Sequence, residues 1–99
     1  SPFSAYVAGK GGQMGYLRST AMELASFGIT VNAVAPGWIP VERHESVVPE
    51  QKEKYLETIP LGRWGTREDV AHAVRFFADQ DAGFLTGQSL SVNGGRTLF

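Results

Sequence analysis

A tyrosine and a lysine four residues apart, Tyr6 and Lys10, have side chains and a spacing that could support chemistry. On a helix, residues at this spacing lie on one face and their side chains can meet. A free tyrosine ionises only near pH ~10, so it exchanges protons poorly at neutral pH unless a nearby positive charge stabilises its phenolate. A lysine one turn away supplies that charge. The pair therefore suits a general acid/base for a carbonyl or an alcohol. The same spacing also arises by chance between two solvated surface side chains.

The glycine-rich stretch SAYVAGKGGQMGY, residues 4–16, is either a phosphate-binding loop or a helix. A dinucleotide-binding loop requires a preceding strand and the spacing G-x-G-x-x-G. Only five residues precede the tyrosine, and Met14 stands where the third glycine would be. A P-loop would need Ser or Thr directly after Lys10, where the sequence has Gly11. The stretch is therefore interpreted as part of a helix and not as a phosphate-binding site.

The apolar spacing predicts a helix over residues 3–27. One stripe recurs at steps of three, four and three residues: Met14, Leu17, Ala21 and Leu24. Gly28 is a suitable left-handed stop, and Ser1 before Pro2 a suitable start. Three glycines on one side of the helix are expected to let another backbone pack closely: Gly9, Gly12 and Gly15.

The rest of the sequence predicts alternating strands and helices. GITVNAVAPG, residues 28–37, is an apolar run ended by Pro-Gly and predicts a strand over residues 29–35, buried on both faces of a parallel sheet. Thr66 and Asp69 form a capping pair before an amphipathic pattern that places Val70, Val74 and Phe77 on one face. The other predicted elements are a short helix over 49–58, a helix over 67–78 and a strand over 88–92. The fold class is therefore α/β.

The composition excludes several classes of function. A formal net charge of −1, with no cluster of Lys or Arg, argues against a nucleic-acid partner. The sequence has no cysteine, which excludes thiol chemistry and favours a reducing compartment such as the cytoplasm. No apolar run approaches the ~18 residues of a membrane span. The two histidines, His44 and His72, have no further ligands at useful spacing, so no metal site is expected.

Four segments together resemble the short-chain dehydrogenase/reductase family. These are Y-x-x-x-K, about eighteen residues of helix followed by GITVNAVAPG, PLGRWGTREDVAHAVRFFAD, and FLTGQSLSVNGG, in the family's order and at its distances. Within the family, the ending most resembles 3-oxoacyl carrier-protein reductases and sugar or polyol dehydrogenases. The resemblance implies that the chain is the C-terminal part of a doubly wound Rossmann-type parallel sheet.

The resemblance also implies roles for individual residues. Tyr6 would be the catalytic acid/base. Lys10 would support it and hold the ribose of the nicotinamide cofactor, NAD or NADP. Pro36 and Gly37 would turn the chain at the carboxyl end of the strand, and the backbone of Ile39 would meet the cofactor's carboxamide.

Four further residues have roles that the resemblance leaves open or in doubt. Trp38 and the segment 42–61 would form a substrate-facing lid, with Trp38 either a pocket wall or a core residue. Trp64 is interpreted as a packing residue, and Asn32 as a satisfied amide that ties loops together. Val41 stands where family members commonly carry a threonine that contacts the cofactor, which puts that contact in doubt.

The expected function is NAD(P)-dependent interconversion of a carbonyl and a secondary alcohol. Residues 1–99 are expected to be the C-terminal portion of a single domain that lacks its cofactor-binding N-terminal half, so the chain alone is expected to be inactive. The partners expected are a small carbonyl or alcohol substrate and either further copies of the chain or the missing half, with no membrane. The alternative is a catalytically inactive module for oligomerisation. The substrate and the choice between NAD and NADP stay open.

Overall fold

The computed structural model describes residues 2–40 and 48–97. Its helices and strands follow one another as α1 (Pro2–Leu24), β1 (Ala33–Pro36), α2 (Pro49–Glu57), α3 (Arg67–Ala78) and β2 (Ser89–Val92). The N–H of Ala33 donates to the carbonyl of Gln88, and four residues later the N–H of Gly37 donates to that of Val92. Because both partners advance in the same direction, the two strands are parallel. The predicted α/β class is confirmed.

The chain forms two compact units. The first contains Ser1–Ala33 and Phe77–Ser89, and the second contains Val34–Phe76 and Leu90–Phe99. Four sequence predictions lie outside the described residues: Ser1 as a cap, the substitution at Val41, the first part of the lid, and His44.

Helix α1 follows its prediction closely. Its α-helical part ends at Leu24, and Ala25–Phe27 form a final 3₁₀ turn. Gly28 then adopts a left-handed conformation with φ of 73°, which glycine tolerates because it has no Cβ. The predicted apolar stripe is the face that packs: Leu17 and Ala21 are buried, and the other two members are half-buried.

The prediction that the helix glycines receive a closely packed backbone is wrong for the described part of the chain. A Cβ added at Gly9, Gly12 or Gly15 would meet no heavy atom within 4 Å beyond the helix itself. All three are exposed, because the side of α1 that packs is the one carrying Leu17 and Ala21.

Strand β1 is shorter and less buried than predicted. It begins at Ala33 instead of residue 29, because the preceding residues bond outside the strand ladder. The N–H of Val31 donates to the Thr86 hydroxyl at 3.0 Å, and the N–H of Gly87 donates to the Val31 carbonyl at 2.8 Å. Residues 31–35 are half-buried and Ile29 is exposed. Burial on both faces is therefore wrong for this two-stranded sheet.

The remaining elements lie within one residue of their predictions. Helix α2 has Pro49 at its start, where a missing N–H costs nothing. Helix α3 matches its predicted span, but its face is shifted: Ala73 is buried, Val70 and Phe77 are half-buried, and Val74 is exposed. At 100° per residue, position 74 lies at the edge of the stripe formed by the other three, which explains the error.

Candidate functional site

The two predicted catalytic side chains lie together on α1. The Lys10 ammonium is 5.7 Å from the centre of the Tyr6 ring, within the range at which a cation is attracted to an aromatic face. The Tyr6 side chain is 61% exposed, and Lys10 is exposed as well. Helical spacing therefore brings the pair into contact as predicted, with both groups accessible within the described chain.

The turn after β1 has a glycine at a crowded position. Pro36 is the last residue of β1, and the N–H of Gly37 donates to the Val92 carbonyl at 2.9 Å. A Cβ at Gly37 would lie 3.1 Å from the Cβ of Asn93, closer than most side-chain contacts. This missing side chain lets the turn run against the end of β2.

Beside this turn is a pocket of about 470 Å³. Its wall is built from the turn after β1, the end of α2, the segment leading into α3 and the end of β2. Apart from four glycines, its lining contains seven apolar residues: Trp38, Ile39, Ile59, Pro60, Leu61, Leu90 and Val92. Its polar and charged lining residues are Tyr55, Arg63, Asp69, Ser91 and Asn93. Trp38 lines this pocket and also packs against its aromatic neighbours, so both arrangements considered for it are present, and its contact with a substrate stays a prediction.

Three aromatic rings form a cluster at the pocket. The Trp38 ring meets Tyr55 and Trp64 edge-on, with centres 5.0 and 5.5 Å away. Tyr55 and Trp64 are parallel, with centres 5.6 Å apart. The prediction that Trp64 is a packing residue is confirmed. These geometries are the ones in which aromatic pairs attract each other beyond the burial of area.

Tyr55 is a residue that the sequence prediction missed. Its hydroxyl oxygen accepts the N–H of Trp38 at 2.9 Å, and the guanidinium carbon of Arg96 lies 4.5 Å from its ring centre. The only signal in the sequence was an aromatic residue on the mostly polar helix α2. Its partners lie far along the chain, so local spacing did not reveal them.

An ion pair lies at the rim of the pocket. The two guanidinium nitrogens of Arg63 reach the two Asp69 oxygens at 2.9 and 3.3 Å. The hydrogen bond from Arg63, followed by the one from the backbone of Thr66, holds the pKa of Asp69 well below its usual range. Asp69 also raises the pKa of Arg63. Asp69 is therefore a paired carboxylate and a poor proton donor.

Asn32 ties two segments together, as predicted. Its amide nitrogen donates to the Leu85 carbonyl at 3.0 Å, and its amide oxygen accepts the N–H of Gln88 at 3.0 Å. Both polar atoms of the half-buried side chain are thus bonded to backbone. This explains why an asparagine stands in an otherwise apolar run.

Two further properties concern only the residues that the structure describes. None of their helices is both long and apolar enough to cross a bilayer. Within the same ranges, no three histidine, cysteine, aspartate or glutamate residues are grouped as metal ligands would be.

Comparison with known proteins gives consistent matches along most of the chain. A family model described as enoyl-(acyl carrier protein) reductase matches residues 1–97. The chain is 49% identical over 93 residues to the 3-oxoacyl-[acyl-carrier-protein] reductase FabG of Haemophilus influenzae, covering 94% of this chain and 38% of the relative. Proteins of the same name from Rickettsia prowazekii and Staphylococcus aureus strain Mu50 are 48% and 50% identical over 93 residues. Each match covers 94% of this chain, but only 39% and 38% of those relatives.

Proposed function

Because the chain belongs to the short-chain dehydrogenase/reductase family, we propose that the protein containing it interconverts a carbonyl and a secondary alcohol with NAD or NADP. The observation that carries the proposal is the adjacency of Tyr6 and Lys10 on α1. The similarity to proteins named as reductases supports the same reaction class. No observation favours the alternative of an inactive oligomerisation module.

In this proposal Tyr6 is the acid/base of the reaction. In the direction of reduction, its hydroxyl gives a proton to the substrate's carbonyl oxygen, and in the reverse direction it removes one from the alcohol. The positive charge of Lys10 would support Tyr6 in this role, and its ammonium would hold the ribose hydroxyls of the cofactor. The nicotinamide, when bound, supplies the hydride that the carbonyl carbon receives.

The turn after β1 suits the cofactor role that we propose for it. Open α/β sheets bind ligands at the carboxyl ends of their strands, which is where Pro36 and Gly37 lie. A side chain at position 37 would fill the space against Asn93, so the turn presents backbone there. We propose that the backbone of Ile39 meets the cofactor's carboxamide.

We further propose a 3-oxoacyl thioester on acyl carrier protein as the substrate. The relatives carry this substrate in their names. The apolar wall that includes Trp38, Ile59 and Leu61 suits a hydrocarbon chain. The same proposal treats residues 1–99 as the C-terminal portion of one domain and expects a homo-oligomeric enzyme in the cytoplasm.

The test is a comparison of substrates with the full protein that contains the chain. A 3-oxoacyl thioester, a ketose and a cyclic ketone would each be offered with NADPH and with NADH, and cofactor oxidation followed by absorbance. We expect turnover of the thioester to exceed that of the other carbonyls. A folded protein that oxidises neither cofactor with any of them would contradict the proposal.

A further inference from the structure

A hydrogen bond joins helix α2 to the turn after β1. The hydroxyl oxygen of Tyr55 accepts the backbone N–H of Trp38 at 2.9 Å, and both residues are half-buried. A backbone donor that is partly removed from water needs a partner, so this bond fixes where the turn lies. Trp38 lines the pocket, and the bond therefore sets the position of a pocket wall.

The Tyr55 ring is itself held from several directions. Trp64 lies parallel to it, Trp38 meets it edge-on, and the Arg96 guanidinium lies over it. Arg96 also donates through Nε to the Thr58 hydroxyl at 2.8 Å, just beyond the end of α2. These contacts fix the ring before any ligand binds, so its oxygen meets the Trp38 N–H without further loss of side-chain freedom.

The Tyr55 oxygen also occupies the corner beside Gly37. A Cβ at Gly37 would approach this oxygen to 3.4 Å. The phenol oxygen thus accepts the N–H of Trp38 and lies where a side chain at the preceding residue would meet it. Packing against the neighbouring aromatic rings needs only the Tyr55 ring and not its hydroxyl. A variant that lacks only the hydroxyl therefore tests the hydrogen bond apart from the packing.

We propose that Tyr55 is a positioning residue for substrate binding: its hydroxyl holds Trp38 so that the lid helix α2 and the pocket wall move together. This inference rests on the proposed function, because it assigns the pocket to the substrate. Tyr55 lies outside the proposed proton-transfer pair. Its loss changes how well the substrate binds and leaves the chemical step intact.

The test is Tyr55→Phe in the full protein, which keeps the ring and removes only the oxygen. We expect KM for the carbonyl substrate to rise about three- to tenfold, which is the factor that one net hydrogen bond contributes. We expect kcat to stay within about twofold, because losing an interaction that is equally strong in the ground state and the transition state raises KM alone. Tyr16→Phe is the matched control. It removes a phenol oxygen from a side chain that is 76% exposed on α1, and KM should not change.

A second measurement tests the bond itself without relying on activity. Hydrogen exchange at the Trp38 amide should accelerate in Tyr55→Phe, and to a lesser degree in Arg96→Met, which removes the guanidinium over the ring. Unchanged exchange in a folded Tyr55→Phe protein would overturn the proposed bond. A lower melting temperature with unchanged KM would reduce Tyr55 to a structural residue and overturn the proposal. A wild-type protein without reductase activity would overturn the proposed function, while the exchange rate would still decide whether the bond exists.

Discussion

The Lys10 ammonium lies 5.7 Å from the centre of the Tyr6 ring, one helical turn along α1. This distance lies within the range at which a cation is attracted to an aromatic ring. The Tyr6 side chain is 61% exposed, so it contributes little packing within the described chain. Substitutions of these two residues should therefore change the reaction rate with little effect on the stability of the fold.

Replacing Tyr6 by phenylalanine should abolish proton transfer with little change in volume. We expect kcat of the full protein to fall by roughly 10² to 10⁴, the usual contribution of a general acid/base, while the melting temperature stays near that of the wild type. Steady-state kinetics and thermal melts measure the two effects. Turnover near the wild-type level in folded Tyr6→Phe protein would contradict the assignment.

Replacing Lys10 by methionine should affect both turnover and cofactor binding. In the proposed mechanism the cation supports the acid/base Tyr6, so kcat should fall. The KM for NAD(P)H should rise as well, because the proposed contact with the ribose is lost. Steady-state kinetics with varied NAD(P)H measure both effects. An unchanged KM for NAD(P)H combined with lower turnover would show that Lys10 does not hold the ribose.

The sequence revealed those features whose causes are local. Thr66 and Asp69 are three residues apart, and their mutual hydrogen bonds start α3 where the pattern predicts. Gly28 ends the first helical segment through its own conformation. The start of β1 was mispredicted because Asn32 bonds to residues 53 and 56 positions away, which no local periodicity encodes.

The candidate site also contains one part that local spacing in the sequence reveals and one part that it does not. Tyr6 and Lys10 were found because helical spacing alone brings them together. Tyr55 was missed because its hydrogen-bond partner lies 17 residues earlier, beyond the reach of any helical pattern. The burial predicted for β1 failed for a related reason, since burial depends on which elements cover a strand and not on the strand's own composition.

Removing the Asn32 amide should destabilise the first unit. Asn32→Ala leaves the Leu85 carbonyl and the Gln88 N–H without these partners, and we expect a loss of about 1 to 3 kcal/mol in the free energy of unfolding. Gln88→Ala is the control, because it keeps the backbone N–H that bonds to Asn32. Urea unfolding measures both variants. Equal losses would show that the amide bonds are not the cause.

Adding a side chain at Gly94 should cost more than adding one at Gly62. Both glycines have positive φ, 65° and 74°, so an alanine is strained at either position. A Cβ at Gly94 would also lie 2.6 Å from Cγ2 of Ile59, whereas none of the described heavy atoms lies within 4 Å at Gly62. We expect about 1 kcal/mol for Gly62→Ala and about 2 to 4 kcal/mol for Gly94→Ala. Chemical unfolding of the two variants checks the difference, and similar losses would argue against the close contact with Ile59.

The start of α3 should lose part of its stability in acid. The pKa of Asp69 is lowered in the folded state by the hydrogen bonds from Arg63 and Thr66. A carboxylate whose pKa is lower in the folded state stabilises that state. This stabilisation is complete above the unfolded pKa of about 3.9 and is lost as the pH falls through the folded pKa. Asp69→Asn should therefore destabilise the protein at pH ~7 and have a smaller effect once the pH falls below about 3.9.

Thr66→Ala is the matched variant, because it removes the hydroxyl that accepts the Asp69 N–H at 3.1 Å but no ionisable group. Its cost of about 1 kcal/mol, typical of a lost N-cap, should change less with pH than the cost of Asp69→Asn, because the Thr66 hydroxyl is a lesser cause of the lowered Asp69 pKa than the Arg63 hydrogen bond. High salt should weaken the Asp69→Asn effect as well, since the Arg63 and Asp69 side chains are 59% and 31% exposed and their attraction is screened. Urea unfolding at two pH values and two salt concentrations measures all of these effects. A cost for Asp69→Asn that does not change with pH would show that the carboxylate acts only as a neutral hydrogen-bond acceptor.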